Sequence, residues 1–195
     1  MKPLVCGIAA GHGGEDGGAV SGDLVESDLN LALANAIVTI PSGPHLVFEM
    51  IRLRDDDLPL DVRNSMAKQL GCDFVVELHH NSLSVNQAAH GALIFWYRGS
   101  GKAGSLADKI AAAMPKALQP ARAVRIGPVT GGDSDDYPRA RHVLESYSAP
   151  CLVVEVAYLS NVSDREYLRK PTSTAEVAAS IHAGLMQAPA VWSIR

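Results

Sequence analysis

Short apolar runs alternate with amphipathic stretches along most of this chain. Leu4–Ala10, Leu46–Ile51, Phe74–Leu78, Ala92–Tyr97 and Cys151–Val156 are apolar runs of strand length, and a weaker one lies near Val124–Ile126. Between them, apolar residues recur at helical spacing. Leu29, Leu33, Ala36 and Ile40 mark a helix over Ser27–Thr39, and Val62, Met66 and Leu70 mark the apolar face of one that opens at Pro59. Leu106, Ile110 and Met114 mark another, and Val177, Ile181 and Leu185 a closing helix over Thr174–Met186. Shorter helices fit Arg139–Tyr147 and Asp164–Leu168. Pro41-Ser42-Gly43-Pro44 breaks the first helix and Gly71 ends the second. Alternating strands and helices predict an α/β fold: a three-layer α/β/α domain with a mostly parallel central sheet of about five to six strands.

Length and composition narrow the picture. A chain of 195 residues is large enough for one domain with a real core. The net charge is only −4 and no basic run is present, so nothing points to nucleic acid. Aromatic residues make up 5%, too few for stacked bases or an aromatic sugar cleft. No apolar stretch has the length of a membrane span. The opening Met1-Lys2-Pro3-Leu4-Val5-Cys6 is too short for a signal peptide and reads as the first core strand, so the expectation is a chain made in the cytoplasm without an export signal. Cys6, Cys72 and Cys151 lie in or beside apolar runs without metal-binding spacing, and are expected to be free thiols.

The candidate chemistry sits where strands end. The first strand runs into Gly11-His12-Gly13-Gly14-Glu15-Asp16-Gly17-Gly18-Ala19, a loop that turns sharply and lets its backbone approach other groups closely. Glu26 opens the first helical pattern, His79 follows the third strand, and Glu155 ends the last clear strand. In parallel sheets, ligands bind beyond the carboxyl ends of the strands, so these placements share one edge. Two histidines and a carboxylate are ligands for one zinc ion, and a further carboxylate is a candidate proton carrier. Zinc lowers the pKa of a bound water to ~7 and stabilises charge developing on a carbonyl oxygen, a combination that hydrolyses amides without a covalent intermediate.

The motifs resemble a known family. Gly11-His12-Gly13-Gly14 with Asp16 and Gly18-Ala19, then Glu26 before a helix, is similar to the opening of the zinc-dependent N-acetylmuramoyl-L-alanine amidases of the Amidase_3 type. Arg54, Leu60 and Arg63 resemble that family's charged turn and following helix. Leu78-His79-His80-Asn81 resembles its Ser-Ile-His-Ala-Asn segment, and Glu155-Val156-Ala157-Tyr158-Leu159-Ser160-Asn161 its Glu-x-Gly-Phe-Leu-Ser-Asn segment. Asp164 and Leu168 match as well. The resemblance implies that His12, Glu26 and His79 bind zinc and that Glu155 is the catalytic carboxylate. It also implies a substrate, bacterial peptidoglycan, cut between the lactyl group of N-acetylmuramic acid and L-alanine. Glu77 stands where the family has Ser, His80 where it has Ala, and Ala157-Tyr158 where it has Gly-Phe.

Around this core, His80, Asn81 and Glu77 are candidate substrate contacts, with Glu77 also placed to orient His79 because residues two apart on a strand share a face. Asp16 is expected to accept backbone N–H groups, and Arg54 and Arg63 to be structural partners. Asp133–Asp136 centres a polar loop. Residues 1–187 are expected to form the catalytic domain and 188–195 a loosely packed tail, with no separate wall-binding domain and a monomeric state. A phage endolysin is the favoured source and a bacterial autolysin the alternative. Two other functions remain open at this point: a zinc peptidase acting within the stem peptide, and an inactive wall-binding module.

Overall fold

The computed structural model describes residues 2–84, 86–97, 100–126 and 137–193. The polar loop around Asp133–Asp136 and Gly99 lie outside the described residues.

β1 (Leu4–Ala10) enters the glycine loop, and a hairpin of β2 (Val20–Ser21) and β3 (Leu24–Val25) leads into α1 (Glu26–Thr39). There follow β4 (Leu46–Met50), α2 (Leu60–Gln69), β5 (Phe74–Asn81), β6 (Leu93–Tyr97), α3 (Gly101–Ala113) and β7 (Arg122–Ile126). The chain continues with α4 (Pro138–Ser146), β8 (Cys151–Tyr158), α5 (Val162–Leu168), α6 (Ser173–Leu185) and α7 (Ala188–Ser193). The main sheet has six strands in the order β4-β1-β5-β8-β6-β7. Its pairs are parallel except β6 with β8. β1, β5 and β8 are therefore central neighbours that share one carboxyl edge.

Alternation along these strands divides the core in two. Ile8, Val76, Leu78 and Val154 face Leu33 and Ile37 of α1, Leu106 and Ile110 of α3, and Ile181 of α6. Ala9, Val75, Phe95 and Val153 face Ala67 of α2 and Ala140 and Leu144 of α4. This is the three-layer α/β/α arrangement read from the sequence. The three cysteines are free, with Cys6 and Cys151 buried.

Three local expectations are corrected. β5 runs on to Asn81 and β8 to Tyr158, so His79 lies within its strand rather than after it, and Glu155 lies three residues before the end of its strand rather than at it. On α2 the predicted apolar positions Val62 and Leu70 are exposed, while Arg63 and Ala67 are buried, because the helix turns Arg63 towards backbone carbonyls at the end of β1. The tail is not loose to its end. Ala188–Ser193 is helical, Val191 is buried, and the Trp192 ring packs on Phe74 with centroids 4.6 Å apart.

Candidate metal centre

The glycine loop is fastened to the sheet edge where Gly11 N donates to Leu78 O at 2.9 Å. His12 adopts a positive φ of 60°, a left-handed conformation that few non-glycine residues accept. Its Nε2 comes within 3.2 Å of Glu26 Oε1. Glu26 is the first residue of α1 and is almost wholly buried. Its Oε2 accepts from Ala19 N at 2.9 Å, and its Oε1 accepts from His80 N at 3.0 Å. The same Oε1 lies 3.1 Å from His79 Nδ1. Ligand atoms of His12, Glu26 and His79 all lie within 4.8 Å of one another.

Close approach explains two of the glycines. A Cβ on Gly11 would stand 2.2 Å from His79 Cε1, and one on Gly18 (φ +68°) would stand 2.7 Å from both Glu26 Oε2 and His12 Cδ2. Gly11→Ala is therefore expected to push the His79 ring aside and to weaken zinc binding at least ~10-fold, the cost of a disturbed ligand orientation. Chelator competition on the folded variant checks this.

Two buried arginines hold the loop from behind. Arg52, with no exposed surface, donates to Ala10 O at 2.9 Å, Arg54 O at 2.9 Å, Ser27 O at 3.0 Å and Gly11 O at 3.3 Å. Arg63 donates to Ala10 O at 2.6 Å, His12 O at 2.8 Å and Leu58 O at 2.7 Å. The structural arginine of the charged turn is thus Arg52, which the motif reading missed. Arg54 is 85% exposed and reaches only Asp56, at 3.9 Å. The available signal was the position of Arg52 directly after the apolar run that ends at Ile51.

Each histidine of the cluster has a carboxylate beside its other nitrogen. His12 Nδ1 meets Asp16 Oδ2 at 2.7 Å, while Asp16 Oδ1 accepts from Gly18 N at 3.0 Å, so Asp16 shapes the loop and orients the ring together. His79 Nε2 lies 3.6 Å from Glu77 Oε2. Glu77 is 1% exposed. His80 is buried too. It sits on the opposite sheet face from His79, with Nδ1 2.8 Å from Asn30 Oδ1. Burial pushes His80 down to about 4, so its ring is neutral at pH 7. Asn81 closes β5, and its carbonyl accepts from Leu159 N at 2.7 Å.

Glu155 pairs with His79 in the parallel register of β5 and β8, so the two side chains share a face. Its Oε2 is buried without a hydrogen-bond partner among the described residues. Burial pushes its carboxyl up to about 7, against the attraction of His79. Burial also works to raise Glu26, but the His12 and His79 rings overcome it and hold that carboxyl far below the usual range. Conversely, burial works against charge on His79, yet Glu26 and Glu77 push it up to about 10. His12 moves up in the same way, chiefly through Glu26. Without a metal the cluster favours protonated rings, and a metal cation bound by these residues would take the place of those protons.

Two imidazole nitrogens and a carboxylate oxygen at this spacing could hold one metal ion, and their chemistry suits zinc. Next to His79 on the same sheet face stands a carboxylate whose Oε2 is buried with no hydrogen-bond partner among the described residues.

Known proteins similar to this chain are amidases. The germination-specific N-acetylmuramoyl-L-alanine amidase of Bacillus subtilis is 26% identical over 193 residues, which cover 91% of this chain and 76% of that protein. The amidase AmiC of Escherichia coli is 26% identical over 219 residues, covering 94% of this chain but only 52% of its own length. Among solved structures, the catalytic domain of the amidase CwlV from Bacillus (Paenibacillus) polymyxa superposes with a TM-score of 0.77 at 27% identity, covering 94% of this chain and 97% of that one. The family model described as N-acetylmuramoyl-L-alanine amidase matches residues 7–187, and the chain belongs to that family, Amidase_3.

Proposed function

We propose that this chain hydrolyses the amide between the lactyl group of N-acetylmuramic acid and L-alanine in bacterial peptidoglycan, with His12, Glu26 and His79 holding one zinc ion and Glu155 carrying the proton. The observation that supports it most is the His12–Glu26–His79 cluster, with Glu155 in register with His79 and its buried Oε2 unpartnered among the described residues. Zinc in such a site polarises the substrate carbonyl and lowers the pKa of water to about 7. Glu155 Oε2 takes the proton from the attacking water and later delivers it to the departing L-alanine nitrogen. Asp16 keeps His12 Nε2 facing Glu26 by holding Nδ1. Arg52 and Arg63 keep the loop carbonyls fixed, so that the ligands need little rearrangement to bind. Residues 7–187, the span matched by the family, are the proposed catalytic unit.

The test is product analysis on purified peptidoglycan. The expected products are new L-alanine amino termini and muramic acid freed of peptide, abolished by a chelator and restored by zinc. New termini inside the stem peptide would replace this reading with a peptidase. A folded, zinc-loaded protein that released no product would count against catalysis by the cluster.

A further inference from the structure

We propose that Glu77 and Tyr147 form a positioning pair that fixes the tautomer and orientation of His79 and strengthens its hold on zinc. The inference rests on the metal centre proposed above and concerns a position where this chain departs from the Ser usual in the family.

Glu77 is buried on β5, two residues before His79 and on the same face. Its Oε1 accepts a short hydrogen bond from the Tyr147 hydroxyl. Its Oε2 has no hydrogen-bond partner among the described residues and lies 3.6 Å from both His79 Nε2 and Arg63 Nη1. Arg63 gives one N–H from each of its nitrogens to the carbonyls of Leu58, Ala10 and His12, and its Nη1 also pairs with Glu77 Oε2 at 3.6 Å. Arg63 balances the Glu77 charge from one side, and the same oxygen faces the His79 imidazole from the other.

That placement has a chemical consequence. His79 turns Nδ1 towards Glu26 and the cluster. To ligate through Nδ1, the neutral ring must carry its proton on Nε2. A buried anion behind Nε2 selects that tautomer and makes the ring a stronger donor to metal. A serine hydroxyl carries no such charge. Asp16 does the same for His12 from an exposed position, 57% accessible, where water screens it, whereas Glu77 is 1% accessible. Tyr147 matters because it orients the carboxylate from outside the strand, at the residue following α4.

The experiment measures zinc affinity of the full chain by chelator competition, with Glu77→Gln and Tyr147→Phe beside the unaltered protein. Imidazole NMR of the zinc-loaded forms supplies a second readout. Glu77→Gln is expected to weaken zinc binding about 10- to 100-fold, and Tyr147→Phe to weaken it less. In the unaltered protein the His79 Nε2 proton is expected to be protected from exchange and shifted downfield, and to move upfield in Glu77→Gln. Lower melting temperatures with zinc affinity and the Nε2 signal unchanged in both variants would overturn the proposal and make the pair merely structural. Zinc affinity that survives His79→Ala would overturn the metal centre itself, a result distinguishable from a silent Glu77.

Discussion

Glu155→Gln is expected to lower kcat for peptidoglycan amide hydrolysis by about 10²- to 10⁴-fold, the usual contribution of a positioned acid–base group. The substitution keeps the shape of the side chain and removes only its capacity to take a proton. Zinc affinity is expected to change little, because Glu155 is not among the three clustered ligand residues. The same variant carries a second expectation in the metal-free protein. The folded-state value of Glu155 is raised from 4.5 to about 7 by burial, so the folded protein holds that proton more tightly than the unfolded chain. Metal-free stability therefore falls as pH rises from 4.5 towards 7, and the loss is complete above that window. Gln cannot ionise. Metal-free Glu155→Gln is thus expected to exceed the metal-free parent by about 1–3 kcal/mol at pH 8, with the gain gone at pH 4. Denaturant unfolding at the two pH values measures it. Equal stabilities at pH 8 would show that the carboxylate is not strained there, and full activity in the variant would remove Glu155 from the chemistry.

Arg52→Met is expected to cost about 3–5 kcal/mol of stability and roughly 10 °C in Tm, the range for taking one charged member out of a buried network. Arg52 has no exposed surface and makes hydrogen bonds to four carbonyls. Two of those acceptors keep another side-chain donor: Ala10 O has Arg63, and Gly11 O has Asn30 Nδ2 at 3.2 Å. Ser27 O and Arg54 O lose the side-chain donor they had. Because those carbonyls frame the glycine loop and the first turn of α1, the loss reaches His12 and Glu26, and zinc affinity is expected to fall with stability. Arg54→Met, by contrast, removes an exposed side chain 3.9 Å from its partner and is expected to change either quantity by little. Equal effects of the two substitutions would refute the assigned roles.

That contrast between two arginines marks how far a linear reading reaches. Strands were legible because burial on both faces leaves continuous apolar runs, and helices because burial of one face leaves a 3.6-residue period. The edge shared by His12, His79 and Glu155 followed from strand ends alone, and His12, Glu26 and His79 do come together in space. Family motifs add roles to such residues but not their surroundings. Arg52 against Arg54 depends on which side chain β4 turns inward at its end, and neither composition nor spacing encodes that direction. The burial of Arg63 on a helix that otherwise shows Val62 and Leu70 to solvent reflects the needs of carbonyls from a strand far away in the chain. His80 and His79 are neighbours in sequence but lie on opposite faces of a sheet, and only the packing of Asn30 against one face separates their roles. Glu77 meets Tyr147 across seventy positions of chain. Local pattern sets periodicity and strand ends, because those depend on near neighbours. Which polar group is buried, what it bonds and which nitrogen faces the metal are settled by residues distant in the chain, since a buried polar atom takes its partner from whatever the fold brings within reach.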